Sequence, residues 1–267
     1  MSRLTADDIK NKHTFDQIAA LYNKARPRYP DALFDRLVKA TAVLKGAKLL
    51  EIGPGTGQAT KPLADKGYEI TAVELGNDLA EVARHELRGY NKVSVVTGAF
   101  EDIDLPTHSF DLVFAATAFH WIKPELRYVK PHDLLNVGGH LAIIHTNHVS
   151  DEQGDTFFDA SQSVYDQYYT SDGKDKPKLP LPTDVQPTIL DDKLFKLTDF
   201  SRFPMVIKYT ASEYTQLINT YSPTLALSEN ERLGFLEGIE TLINKDFGGT
   251  VSKHFIMSLT VAEPIAP

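Results

Sequence analysis

The chain contains no cysteine. That excludes disulfides, thiolate metal sites and a cysteine nucleophile, and it leaves the compartment unread. No apolar stretch approaches the roughly 20 residues that a membrane-spanning helix needs. Met1 to Lys12 is charged and lacks the apolar core of a secretion signal, so the expectation is a cytoplasmic protein without a membrane partner. Basic runs are missing as well. Arg26 and Arg28 lie close together but sit among prolines and tyrosines. With 28 Lys and Arg against 36 Asp and Glu, the formal charge of −8 argues against a phosphate-backbone partner, which is held by clustered cations. There is no internal repeat and no low-complexity tract. What is present is a hydrophobic fraction of 42% over 267 residues, enough for one large domain with an insertion or a cap.

The most informative stretch is Leu49-Leu50-Glu51-Ile52-Gly53-Pro54-Gly55-Thr56-Gly57. Its apolar part reads as the end of a buried parallel strand. The glycines let the chain turn sharply and let a ligand touch bare backbone. Glu74 closes a second strand-like run, Ile70 to Leu75, where a carboxylate can accept both hydroxyls of a ribose. A dinucleotide fingerprint needs G-x-G-x-x-G. Here the third glycine, Gly57, comes one residue early and Gln58 takes the place that pattern requires. The spacing therefore points to a nucleoside-type cofactor without a pyrophosphate.

Helix and strand signals alternate along the first half. Thr14 with Gln17 reads as a capping box opening a helix that aligns Phe15, Ala19, Tyr22 and Arg26. A second helix, after Pro30, stripes Leu33, Leu37, Ala40 and Leu44 and ends at Gly46. Strands are expected at about 48–52, 69–74, 93–97, 110–115 and 141–144. Helices are expected at about 57–66, 77–87 and 125–135, with Val137-Gly138-Gly139 as a turn. The rhythm then breaks. Phe157 to Tyr169 suggests an amphipathic, tyrosine-rich helix, and Asp172 to Pro187, with three Lys and four Pro, a surface loop. Order returns with a strand at 206–209, capping boxes at Thr210/Glu213 and Ser228/Glu231, a helix striped by Phe235, Ile239, Leu242 and Ile243, and a last strand after Gly248-Gly249. Consecutive strand–helix units require a mostly parallel, doubly wound α/β sheet.

The form E-x-G-x-G-x-G, followed by Glu74, resembles motif I of class I S-adenosylmethionine (SAM) methyltransferases. Val96 to Asp102 is similar to that family's third-strand motif, with Ala99 where an acid is common. Ser109 to Phe114 resembles its fourth-strand motif. Ala118-Phe119-His120-Trp121 is similar to a subgroup that includes trans-aconitate methyltransferase-like enzymes. Arg26-Pro27-x-Tyr29-Pro30 with Phe15, Asp16, Ala19 and Tyr22, and the tail with Tyr214, Ser222 and Gly248-Gly249, resemble a bacterial subgroup of uncharacterised small-molecule methyltransferases. The resemblance implies a seven-stranded sheet with an antiparallel last strand. It divides the chain into N-terminal helices over the cofactor (1–45), a SAM-binding core (46–149), a cap or lid (150–200) and a part completing the sheet (201–267).

It also implies SAM as cofactor, bound by Tyr22, Arg26, Glu51, Gly53, Pro54, Gly55, Gly57, Gln58, Glu74, Leu75, Phe100, Glu101 and Ala115. The acceptor is a small molecule methylated at oxygen, as carboxylate or hydroxyl, or at nitrogen, near Tyr29, His120, Trp121, His145, Asn147, Tyr165 and Tyr169. His120 is either a base or an orienting group that packs beside the cofactor. Tyr22 and Arg26 read either as a snorkelling pair on a packed helix or as a cover over the SAM methionine, with Arg pairing a carboxylate. No Asp or Glu accompanies His120, His145 and His148 at a metal-ligand spacing, so no metal is expected. The competing readings are a nucleic-acid (tRNA) methyltransferase of the same fold, which lacks support from charge or an Asn/Asp-Pro-Pro-Tyr motif, and a nucleotide-dependent oxidoreductase, opposed by the early third glycine. Monomer and homodimer are both compatible with the sequence.

Overall fold

A computed structural model describes residues 19–150, 155–169 and 178–265. The expected capping box at Thr14 and Gln17, and Phe15 and Asp16, lie outside the described residues. Seven strands form one sheet: β1 Lys48–Ile52, β2 Glu69–Glu74, β3 Val93–Thr97, β4 Phe110–Ala116, β5 Leu135–Val149, β6 Phe195–Thr210 and β7 Thr250–Pro264. Their order is β3-β2-β1-β4-β5-β7-β6. The first five pair in parallel. β7 runs antiparallel between β5 and β6. The expected seven-stranded α/β architecture, antiparallel last strand included, is the one observed.

Side chains alternate across the sheet with the period of two that strand geometry imposes. Helix α1 spans Ala19–Ala25, and Leu49, Leu112, Phe114, Ala142 and Ile144 join the core under helices α2 (Asp31–Thr41) and α3 (Thr60–Asp65), where Leu33, Phe34, Leu37 and Leu63 pack. Their neighbours Leu50, Val113, Ala115 and Ile143 join the opposite core with Phe119, Tyr128 and Leu134. α4 (Asn77–Glu86) and α5 (Val129–Leu134) complete the winding. Both faces of the central strands are therefore dry, which is why β4 reads as an unbroken apolar run.

Beyond the carboxyl ends of the parallel strands sits a third cluster. It is built from α6 (Thr156–Tyr168), α7 (Ala211–Ile218) and α9 (Glu229–Asp246), with the short α8 (Ser222–Leu225) alongside. Phe157, Val164, Tyr214, Phe235, Ile239 and Phe255 fill it. α6 approaches α9 closely because Gly234 and Gly238 lack side chains: a Cβ there would lie 2.6 Å from the Tyr168 hydroxyl and 2.8 Å from Val164 Cγ1. The start of α6 is pinned to β7 by Asp155. One carboxylate oxygen accepts from the Phe158 amide at 2.8 Å, capping the helix, and the other pairs with Lys253, whose side chain is fully buried. The capping boxes at Thr210/Glu213 and Ser228/Glu231 are both formed.

Several boundaries differ from the sequence reading. α2 stops at Thr41, because Ala42 turns left-handed (φ 49°), so Leu44 lies outside the helix and is exposed. The helices read at 57–66 and 125–135 shrink to Thr60–Asp65 and Val129–Leu134. The Val137-Gly138-Gly139 turn is a wide irregularity inside β5: the β4 pairing jumps from Phe110↔Leu135 to Leu112↔His140. β5 runs five residues past Ile144, and β6 begins at Phe195 rather than at about 206. The third cluster draws α6 from the 150–200 segment and α7 and α9 from residues 201–267.

Candidate functional site

A cavity of about 430 Å³ opens at the carboxyl ends of β1, β2, β4 and β5, where the strand order reverses around β1 and β4. Ligands bind at such switch points in open α/β sheets. Its floor on one side is the glycine loop. Gly53, Gly55 and Gly57 all have positive φ (67°, 58° and 88°), which only glycine adopts without strain. A Cβ at Gly53 would lie 2.6 Å from Ala118 Cβ, and one at Gly55 would lie 3.5 Å from the Tyr22 ring. Bare backbone is what allows this loop to lie against Ala118 and Tyr22 while lining the cavity.

Glu74 is placed by β2 beside that loop. Its carboxylate accepts the Gly55 amide at 2.8 Å and the Gly76 amide at 2.9 Å, one on each oxygen. Glu74 and its neighbour Leu75 both line the cavity. Ile52, Val73, Leu79, Gly98, Ala99, Phe100 and Glu101 continue this wall.

Glu51 occupies another place. It is fully buried beneath the loop and does not line the cavity. Thr60 donates to one oxygen at 2.6 Å, and the other has no partner among the described residues. Burial, only partly opposed by the Thr60 hydrogen bond, pushes its carboxyl up to about 8.

The opposite wall comes from β4, β5, β7 and the loop before α8. Tyr29 reaches in from the α1–α2 connection and shares a 3.0 Å hydrogen bond with Thr117, which lies 3.3 Å from the Thr146 hydroxyl. Burial raises the Tyr29 phenol well above its ordinary value. Thr117 has φ 56°, a left-handed conformation that a β-branched residue adopts only under constraint, and its amide is tied to the Ile144 carbonyl at 2.8 Å. Such strain marks functional positions. His148 stacks on Phe255 at 4.5 Å and hydrogen-bonds Tyr221 at 3.3 Å. Arg26 is sandwiched between the rings of Tyr22 (4.8 Å) and Tyr221 (4.7 Å) and donates to the Thr220 carbonyl at 2.8 Å. Its buried Nε–H has no partner among the described residues.

Of the residues singled out from sequence, Tyr22, Arg26, Tyr29, Gly53, Gly55, Gln58, Glu74, Leu75, Phe100, Glu101, His120 and Trp121 come together around this cavity. Glu51, Pro54, Gly57, Ala115, His145, Asn147, Tyr165 and Tyr169 do not line it. The reason on the strands is the period of two. On β5, Thr146 and His148 line the cavity while His145 and Asn147 alternate away; on β4, Ala115 is in the core, and Ala116, Thr117 and Ala118 all line the cavity as the strand ends. Asn147 instead donates to Ile256 and Ser258. Tyr165 and Tyr169 pack edge-on against Phe235 at 4.9 and 5.3 Å. Thr117, Thr146, Tyr221 and Phe255 were not anticipated, and His148 was weighed only as a metal ligand beside His120 and His145. The alternation would have found Thr146 and His148 once the true length of β5 was known; Tyr221 and Phe255 carry no local signal.

Residues 50–143 match the family described as Methyltransferase domain. An uncharacterised methyltransferase of Mycobacterium tuberculosis is 30% identical over 131 residues, 49% of this chain and 51% of that protein. An uncharacterised methyltransferase-like protein of Schizosaccharomyces pombe is 30% identical over 132 residues, 49% of this chain and 50% of its own. The chain thus spans about half the length of these relatives. Among solved structures, one described as a putative type II methyltransferase from Anaeromyxobacter dehalogenans superposes with a TM-score of 0.59 at 19% identity, covering 88% of this chain and 97% of that one. That likeness is one of fold.

Proposed function

We propose, from the premise that the chain carries a class I SAM-dependent methyltransferase domain, that the protein transfers a methyl group from SAM to a small-molecule acceptor, at oxygen or nitrogen. The observation that carries the reading is the meeting of the bare glycine loop with the Glu74 carboxylate at the switch point of the sheet. The residues suit the cofactor. The Glu74 carboxylate on the cavity wall suits the ribose hydroxyls, and Phe100 with the Gly98-Ala99 backbone offers an apolar slot for a purine. The unpartnered Nε–H of Arg26 fits the methionine carboxylate, as does the approach of Tyr22 to Gly55.

SAM, when bound, supplies an electrophilic methyl on a sulfonium. The chain's contribution is to hold an acceptor in line with it and to exclude water, which can supply most of the rate. Tyr22, Arg26 and Tyr221 close one side of the cavity, and His120 with Trp121, rings 4.7 Å apart, close another. His120 is suited to orient the acceptor or take a proton from it. A cavity of this size, walled by aromatic rings and hydroxyls, favours a small organic acceptor.

Two measurements test the reading. Calorimetry is expected to show binding of S-adenosylhomocysteine (SAH) and none of NAD; tighter NAD binding would overturn it. Incubation of the protein with methyl-labelled SAM and a metabolite extract is expected to label a low-molecular-weight compound, whereas label appearing only in nucleic acid would refute the small-molecule assignment.

A further inference from the structure

The two walls of the cavity differ in charge. Among the described residues lining it, the carboxylates are Glu74 and Glu101, both on the side of β2 and β3. The wall formed by Tyr29, Thr117, Thr146, His148, Tyr221 and Phe255 carries hydroxyls, one imidazole and no carboxylate. The one Arg or Lys among the described lining residues is Arg26, at the border of this wall.

Resting on the methyltransferase reading, we propose that His148 and Tyr221 are the pair that positions the acceptor, and that this wall selects an oxygen nucleophile and rejects a protonated amine. An ammonium group needs a carboxylate or a cage of aromatic faces. Among the described residues lining this wall there is no carboxylate, and Asp155 behind it is already paired with Lys253. The rings best placed to form a cage, Tyr22 and Tyr221, already stack on the Arg26 guanidinium at 4.8 and 4.7 Å.

An oxygen ligand finds complementary partners. Tyr221 Oη and His148 Nε2, 3.3 Å apart, share one hydrogen bond: when Oη–H donates to Nε2, the Oη lone pair is left to accept from a hydroxyl, and when Nε2–H donates to Oη, the Oη–H is left for a carboxylate. The groups that face His148 are Lys253 of β7, Asp155 at the start of α6, Arg26 after α1, and Tyr221. Burial first, then the Lys253 and Arg26 charges, against the opposing pull of Asp155, hold His148 down to about 4. It is therefore neutral at physiological pH and adds no positive charge of its own. Tyr221, pushed up to about 12 chiefly by burial, keeps its proton.

The transfer balances for either oxygen class. At a carboxylate one C–O bond forms, the C–S bond breaks with its electron pair left on sulfur, and no proton moves. At a hydroxyl the released proton passes to Tyr221 Oη as Tyr221 gives its own to His148 Nε2. The imidazolium so formed is acidic enough to hand the proton on to water.

The test is ligand-observed NMR on protein saturated with SAH, titrated with three probes of matched size: benzoate, benzyl alcohol and benzylamine, the last protonated at neutral pH. At least one oxygen probe is expected to bind and benzylamine is not. Tyr221→Phe keeps the ring on Arg26 and removes only the hydroxyl; it and His148→Leu should weaken the oxygen probe about ten-fold, as for the loss of one ligand hydrogen bond. His148→Gln, which restores a neutral polar group, should recover most of that loss; a merely structural histidine would not be rescued in this way. Benzylamine binding as well as the oxygen probes, or no oxygen probe binding while SAH does, overturns the assignment. A protein that fails to bind SAH at all sinks the methyltransferase reading beneath it.

Discussion

Replacing Glu74 by alanine offers the sharpest test of the cofactor site. The substitution removes an acceptor from the Gly55 amide, one from the Gly76 amide, and the carboxylate proposed to hold the ribose. Hydrogen bonds to a charged group contribute about 1.5–3 kcal/mol each, and an orphaned buried donor costs about 1–3 kcal/mol. The Gly76 amide is buried, so part of the loss falls on the fold itself. The remainder falls on the ligand: SAH should bind about 10- to 150-fold more weakly, the equivalent of about 1.5–3 kcal/mol. Adenosine separates the contributions. It carries the ribose but no methionine, so Glu74→Ala should weaken adenosine and SAH by the same factor. Arg26→Ala, which removes the group facing the methionine end, should weaken SAH and spare adenosine. Calorimetry with both ligands, alongside a thermal melt of each variant, gives the four numbers needed. An unchanged SAH affinity in a folded Glu74→Ala protein, or a loss confined to SAH, would show that Glu74 does not hold the ribose.

Four further outcomes follow from packing and burial. Glu51 has a folded-state value of about 8 against 4.5 in an unfolded chain, so the folded protein holds a proton that the unfolded one releases between those values. Below about 4.5 both states are protonated; stability falls as pH rises through the window and levels off above about 8. Glu51→Gln should therefore gain stability over the parent from pH 5 to 9 in urea melts, and a constant difference would refute the buried proton. Breaking the Lys253–Asp155 pair with Asp155→Asn strands a fully buried ammonium and should cost about 3–5 kcal/mol, most of it recovered by adding Lys253→Met; a double variant as unstable as the single would place the loss in the helix cap. Gly238→Val drives a side chain into Val164 and should cost about 1–3 kcal/mol in thermal unfolding. Gly89→Ala, with no atom within 4 Å of its new methyl, should leave the melting temperature where it is.

The nucleotide half of the fold was legible because its signals are local. β1, β2 and β3 are short apolar runs bounded by glycine or a turn, and their limits match the reading at Lys48–Ile52, Glu69–Glu74 and Val93–Thr97. The two capping boxes in the second half were equally local. β5 and β6 were underestimated for a tertiary reason. The end of β5 is His145-Thr146-Asn147-His148-Val149, polar residues held in a strand by nine paired positions with β7 from Leu141 to Val149. β6 is an edge strand with one side unpaired; Pro204 sits within it, and exposed residues dilute its alternation. The candidate site divides along the same line. The glycine loop and Glu74 announce themselves in sequence, whereas Tyr221 and Phe255 reach the cavity only through long-range pairing and the docking of α8.

The position of β7 also bears on how the chain reaches its native state. This strand follows every segment it pairs with, yet it occupies the gap between β5 and β6. Until residues 250–264 arrive, β5 ends the parallel sheet with an open edge and β6 has no partner on either side. During synthesis, at roughly 5–20 residues per second, β6 waits seconds for the strand that joins it. Its Lys196, Asp199, Arg202, Pro204 and Lys208 are the kind of residues that discourage an exposed edge from recruiting a neighbouring chain in that interval. The closing event is the insertion of β7, which in one step seals the sheet, seats Phe255 against His148 and brings Lys253 to Asp155. The His148 side of the cavity, the anchor of α6 and the sheet are thereby completed by the same fifteen residues.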